Sequence, residues 1–165
     1  MHYDYLETPI GRLLVAADAT GLRHVGFDDA RRDEVIAPDW QRGTRHLDRV
    51  LEQLRAYFTG ELQAFDLTLA AQGTPFRHKV WDELARIPYG ETISYGELAR
   101  RIRQPSASRA VGLANGANPI PIVVPCHRVI GANGQLTGFG GGLPAKRWLL
   151  EHERRHAPHA MFALQ

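Results

Sequence analysis

Cysteine is almost missing from this chain, with one among 165 residues. A lone thiol forms no internal disulfide, which excludes a cross-linked secreted scaffold and any metal centre built on several cysteines. The eight histidines are scattered without a ligand spacing, so no metal or organic cofactor is expected. No apolar run is long enough to span a membrane. The start, Met1-His2-Tyr3-Asp4-Tyr5, has no basic segment followed by an apolar core, so no secretory signal is expected and a reducing, cytoplasmic setting fits best. Internal repeats and low-complexity tracts are also missing. Lysine is absent from residues 1–72.

That last absence is part of a charge split. Residues 1–72 carry 8 Arg against 12 Asp and Glu, net −4, whereas residues 73–165 carry 12 Lys and Arg against 6 acidic residues, net +6. The basic half also holds the cysteine. Clustered cations gain from neutralising phosphates and releasing counterions, so this half suits a polyanion, although an unevenly charged solvated surface would look the same. With 44% hydrophobic residues the chain can bury one good core or two small ones.

The pattern of elements predicts an α/β (α+β) fold: a small N-terminal sheet-plus-helix domain over 1–72, then a mostly helical domain over 73–165. Ile10–Ala16 and Leu22–Phe27 read as a hairpin around Asp18-Ala19-Thr20-Gly21, with Tyr3 and Tyr5 in an earlier strand. Leu47, Val50, Leu51, Leu54, Tyr57 and Phe58 have helical spacing, and Gly60 is a stop. Phe65, Leu67 and Leu69 alternate as in a strand with one buried face, and Ala70–Gly73 reads as a linker.

In the second half, Thr74-Pro75 is an N-cap followed by proline at the first helical position, and Phe76, Val80, Leu84 and Ile87 form an apolar stripe. Ser94 and Glu97 have capping-box spacing and open a helix to about Ile102. After Arg103-Gln104-Pro105, Ser106 is placed to cap a helix over 107–114 whose exposed face would be small: Ala107, Ala110, Gly112 and Ala114. Two short helices joined by a tight break suggest a helix-turn-helix that approaches a duplex closely, with Arg109 as its one long cation. Close helix–helix packing explains the same small residues and stays open at this point.

Cys126 follows the apolar run Ile120–Val124, which reads as a core strand, so an inert buried thiol is a serious alternative. Three features argue for reactivity. Pro125 interrupts the strand just before the thiol. His127 and Arg128 place a base and a fixed charge beside a sulfur that must lose its proton. Gly138-Phe139-Gly140-Gly141-Gly142 supplies backbone that a ligand can approach.

The ordered set Arg109-Ala110-Val111-Gly112, Asn118–Val124 and Pro125-Cys126-His127-Arg128-Val129 resembles the active-site region of the O6-alkylguanine-DNA alkyltransferases, the methylated-DNA–protein-cysteine methyltransferases. The likeness runs from about Phe76 to Glu153 and takes in Ile87–Thr92, Ser94-Tyr95 and Trp148–Glu153. It implies that Cys126 takes an alkyl group from guanine O6 in duplex DNA and keeps it, one turnover per molecule. It further implies that His127 is the base, acting through a water, with Glu153 orienting it. Asn118 would brace the local turn, and Tyr95 would hydrogen-bond the guanine and help discharge it. Arg109 would fill the space of the flipped-out nucleotide.

The DNA-facing set carried over is Arg109, Ser94, Tyr95, Ala107, Ala110, Gly112 and Arg128. The pocket set is Tyr95, Val129, Phe139 and Gly140. Phe139 replaces a common tyrosine, and Gly140 replaces a serine or alanine. The expected partner is the minor groove of double-stranded DNA, engaged by a monomer without membrane, metal or cofactor. The competing class is a non-catalytic alkylated-base-binding protein of the same fold, against which Cys126 argues. The basic tail Arg154–His159 receives no role.

Overall fold

The computed structural model describes residues 1–27 and 36–157 and divides into two compact units, 1–72 and the residues from Gly73 on. Pro158 and His159 of the basic tail lie outside the described residues.

The first unit is built on a four-stranded sheet in the order β3-β2-β1-β4. β1 (His2–Thr8) and β2 (Gly11–Asp18) pair antiparallel, as do β2 and β3 (Gly21–Phe27), while the short β4 (Gln41–Arg42) runs parallel to β1. Gly21 closes the β2–β3 turn at φ 149°, and a Cβ there would lie 2.6 Å from the Thr68 carbonyl, so the site demands glycine. Helix α1 (Asp48–Thr59) buries Val50, Leu51, Leu54 and Tyr57 and stops at Gly60, left-handed at φ 86°.

The alternating segment 65–69 does not become a strand. It contributes one bridge, Leu22 to Leu69, and stacks Phe65 on Tyr57 with centroids 5.5 Å apart. Alternation reports a half-buried extended chain, but a strand also needs a partner over several residues, and among the described residues only Leu22 bridges to it.

In the second unit, Thr74 caps α2 (Pro75–Leu84) by accepting from the Arg77 amide at 3.2 Å. Val80, Trp81 and Leu84 bury the inner face, and the Trp81 indole donates to the Ala114 carbonyl at 2.8 Å. Ser94 caps α3 (Tyr95–Arg101), its hydroxyl accepting from the Glu97 amide at 3.0 Å. The reciprocal half of that box is replaced: the Glu97 carboxylate faces Arg100 and Arg101, two cations one turn away.

Helix α4 (Ser108–Gly116) starts from Ala107 without a side-chain cap, so Ser106 does not cap it; the connection turns instead at Arg103, left-handed at φ 62°. Strands β5 (Ile93–Ser94) and β6 (Val129–Ile130) form a parallel pair, and α5 (Leu143–His156) closes the unit. Among the described residues no helix is long and apolar enough to cross a membrane, and no group of His, Cys, Asp and Glu could hold a metal ion.

Candidate active site

Residues 120–124 are not the core strand that their apolar character predicts. They form a tight turn in which the Val124 amide donates to the Ile120 carbonyl at 2.9 Å and Ile122 is forced to φ 76°. A left-handed β-branched residue is strained, and such strain persists only where surrounding bonds over-determine it. Asn118 provides those bonds: its carbonyl oxygen accepts from the Ile120 amide at 2.9 Å and its amide donates to the Val124 carbonyl at 2.8 Å. The turn delivers Pro125 and then Cys126, the first residue of a single 3-10 turn, Cys126–Arg128. A second amide, Asn115 from α4, donates to the Cys126 carbonyl at 3.4 Å.

Cys126 is only 6% exposed. Burial pushes its thiol up to about 11, against the opposing pull of the Asn118 amide and the Lys146 charge. The thiol is therefore protonated at neutral pH and needs a base.

Next to it, His127 Nε2 lies 2.7 Å from Glu153 Oε2, both side chains fully buried. Arg128 grips the same carboxylate at both oxygens, Nε to Oε1 at 2.7 Å and Nη2 to Oε2 at 3.0 Å, and donates to the Ile87 carbonyl at 2.6 Å. Burial alone would raise the Glu153 carboxyl; the His127 contact and the Arg128 guanidinium hold it well below the carboxylate range. Arg128 already neutralises that carboxylate, so at His127 burial prevails over Glu153 and keeps the ring neutral. A carboxylate only accepts, so Nε2 carries the ring proton and Nδ1 keeps its lone pair. Nδ1 is buried and bonds to no group among the described residues, which leaves it available as an acceptor one residue from the thiol.

Lys146, on the inner face of α5, is fully buried and donates to the Val129 and Thr137 carbonyls at 2.7 and 2.8 Å. Burial lowers its ammonium, opposed by the negative charge that Cys126 carries once it is ionised. Thr137 also reaches Tyr95: its hydroxyl donates to the Tyr95 oxygen at 3.1 Å, while the Tyr95 hydroxyl contacts the Thr137 carbonyl at 3.4 Å. One loop residue thus links the half-buried phenol to the buried ammonium.

Family models match both units: the 6-O-methylguanine DNA methyltransferase DNA binding domain over residues 75–155, and the ribonuclease-like domain of the same methyltransferases over residues 1–71. The chain belongs to the 6-O-methylguanine DNA methyltransferase family. It is 50% identical over 153 residues to a methylated-DNA–protein-cysteine methyltransferase of Methanosarcina acetivorans, covering 93% of this chain and 98% of that one. The corresponding protein of Mycolicibacterium paratuberculosis is 50% identical over 161 residues, 98% of this chain and 97% of the relative. Among solved structures, Mycobacterium tuberculosis OGT in complex with DNA superposes with a TM-score of 0.87 at 46% identity over the whole of both chains.

In this methyltransferase the residues singled out in the sequence fall into two groups. His127 and Glu153 are bonded to each other, Cys126 precedes His127 on the same 3-10 turn, Asn118 braces the turn before it, and Tyr95 joins the Thr137–Lys146 link. Arg109, Ala110 and Gly112 lie on the uncovered side of α4, with Ala107 at its N-cap and the Ser94 hydroxyl spent on capping α3. Phe139 is half-buried and Gly140 exposed on the loop before α5.

Three expectations need correction. Arg128 is not a DNA-facing cation, because its guanidinium is buried against Glu153 and Ile87. Val129 has no accessible surface, so it backs the site and does not line its open side. Ala114 is turned inward, where its carbonyl receives Trp81.

Sequence reasoning missed Lys146, Thr137 and Asn115. Lys146 had a readable signal, a cation at helical spacing within the stripe Ala145, Leu149, His152, Glu153. Thr137 and Asn115 had none.

Proposed function

We propose that the chain repairs DNA by moving the alkyl group of an O6-alkylguanine onto Cys126 Sγ, once per molecule and irreversibly. The observation that carries this reading is a buried, protonated thiol one residue from a neutral histidine whose Nδ1 is free and whose Nε2 is held by a charge-compensated carboxylate. His127 Nδ1 takes the thiol proton through a water, since adjacent residues on a 3-10 turn need not face one another. The thiolate attacks the alkyl carbon, the C–S bond forms as the C–O6 bond breaks, and the electron pair passes to the guanine ring. Tyr95 donates a hydrogen bond as that charge develops, and the proton that His127 took from sulfur passes on to a guanine ring nitrogen, so the balance is thiol plus alkyl ether to thioether plus guanine.

The alkyl carbon lies within the base stack, so the nucleotide must rotate out, at roughly a few kcal/mol. Arg109, exposed on α4, fills the gap, and α4 with α3 acts as a helix-turn-helix in the minor groove. The family's DNA-binding model over 75–155 and the relative solved with DNA support this partner. The net +6 of residues 73–165 is consistent with it.

Incubation with duplex labelled on O6-methylguanine should leave one label per chain, on Cys126. Cys126→Ala should bind that duplex with unchanged affinity and take no label. Multiple turnovers would refute the single-use acceptor, and binding by the native chain without label would make it a lesion sensor.

A further inference from the structure

The open face of α4 does not look like a solvated helix. Val111, Ala114 and Asn115 are buried on one side. At 100° per residue Arg109, Gly112, Leu113 and Gly116 fall together on the other, an i, i+3, i+4, i+7 stripe that in a surface helix is filled with polar side chains. Here it holds one cation, two glycines and a leucine. Leu113 is 73% exposed, well above the other large exposed apolar residues among those described, Leu69 and Leu143 at 41% each.

The two glycines are not required by the protein's own packing. Among the described residues a Cβ at Gly116 would meet nothing within 4 Å, and one at Gly112 would come no closer than 3.8 Å to the Tyr95 ring. Neither has positive φ, so each weakens the helix relative to alanine without an internal return. The face is therefore shaped for something that comes close to the backbone, and Leu113 stands up from it one turn beyond Arg109.

A minor groove has this complementary form. It is narrow, its floor is formed by base edges, and its walls are the C–H surfaces of deoxyribose, which offer an aliphatic side chain contact without requiring a hydrogen bond. Resting on the reading that α4 docks on duplex DNA through Arg109, we propose that Leu113 is a second, apolar contact of this helix with the groove. Its isobutyl group is buried against the sugar wall about one helical turn from the extruded nucleotide. It supplies a part of the affinity that does not depend on counterion release and sets how deeply α4 sits while Arg109 enters. Proteins that work in the minor groove commonly combine a cation with an apolar side chain in this manner.

The test is Leu113→Ala, with Leu113→Met as the variant that keeps apolar volume. Both are good helix formers at an exposed position, so folding is preserved. Anisotropy titrations with plain duplex and with O6-methylguanine duplex, over a series of salt concentrations, should show Leu113→Ala binding about three- to tenfold more weakly at every concentration, with an unchanged salt slope. Leu113→Met should stay close to the native affinity, and single-turnover reaction with free O6-methylguanine base should be unaltered in both. Unchanged or tighter binding by Leu113→Ala, or a loss that appears only as a changed salt slope, overturns the proposal. Arg109→Ala separates the levels: if it lowers duplex repair while Leu113→Ala does not change binding, only the leucine contact is wrong. If Arg109→Ala repairs duplex normally, the docking of α4 itself is wrong.

Discussion

Burial gives Cys126 and Glu153 opposite fates, because one is left with a distant charge and the other is clasped. The thiol keeps its proton, although the Asn118 amide, the Lys146 charge and a backbone amide all favour the thiolate. The carboxylate, held at both oxygens by Arg128, loses its own. The pH profile of single-turnover transfer follows from His127, whose ring must be neutral to accept the thiol proton. Its value is lowered by burial, so the rate should hold steady through the ordinary histidine range, about 6.5, and fall only in more acid solution. A rate that already halves near 6.5 would place the active base elsewhere.

Glu153→Gln leaves a buried guanidinium without its counter-charge and should cost about 3–5 kcal/mol by urea denaturation at neutral pH. The sign with pH is set by the depressed carboxyl. The stabilisation is complete above the unfolded value of about 4.3 and fades as pH falls from there through the folded value, so the native and variant curves should converge in acid. Adding Arg128→Met to Glu153→Gln should recover most of the loss, since the pair is replaced by groups that tolerate burial.

At the scale of elements, much of what the chain announces is local. Thr74-Pro75 names its own helix start, Gly60 its own stop and Gly21 its own turn, because each acts on backbone within a few residues. Where the partner is remote the local pattern misleads: segment 65–69 alternates but finds only Leu22, and the apolar run 120–124 bends because Asn118 bonds both of its ends. Helix α4 offers a clean trade between stability and binding. Gly112→Ala should stabilise the protein by about 0.5–1 kcal/mol, since its Cβ would find only ordinary contact, while weakening affinity for duplex. Thermal melting beside an anisotropy titration reads both, and a gain in both would show that nothing approaches this face.

For the whole molecule, the partition of charge and the single thiol determine behaviour. Duplex affinity should drop by at least about tenfold between 50 and 200 mM salt, as phosphate contacts by the basic half exchange with counterions, while reaction with the free base should not respond. Alkylation adds volume at a buried thiol whose residue follows the strained turn and whose backbone carbonyl is tied to α4 through Asn115. The methylated protein should therefore melt lower, by the roughly 1–3 kcal/mol typical of overpacking, and a calorimetric comparison of free and methylated chains checks it.

The sequence by itself determined the reactive run Pro125-Cys126-His127, the caps and turns that start and stop elements, and the split between an acidic and a basic half. These are properties of neighbours a few residues apart, or of composition. Only the tertiary structure decided that Arg128 turns inward to a carboxylate 25 residues away, that Lys146 is a buried donor to two carbonyls, and that Leu113 is left in the open. Those outcomes depend on which faces meet when helices pack, and the cost of burying a charge or exposing an apolar side chain is settled by surroundings that no short stretch of sequence contains.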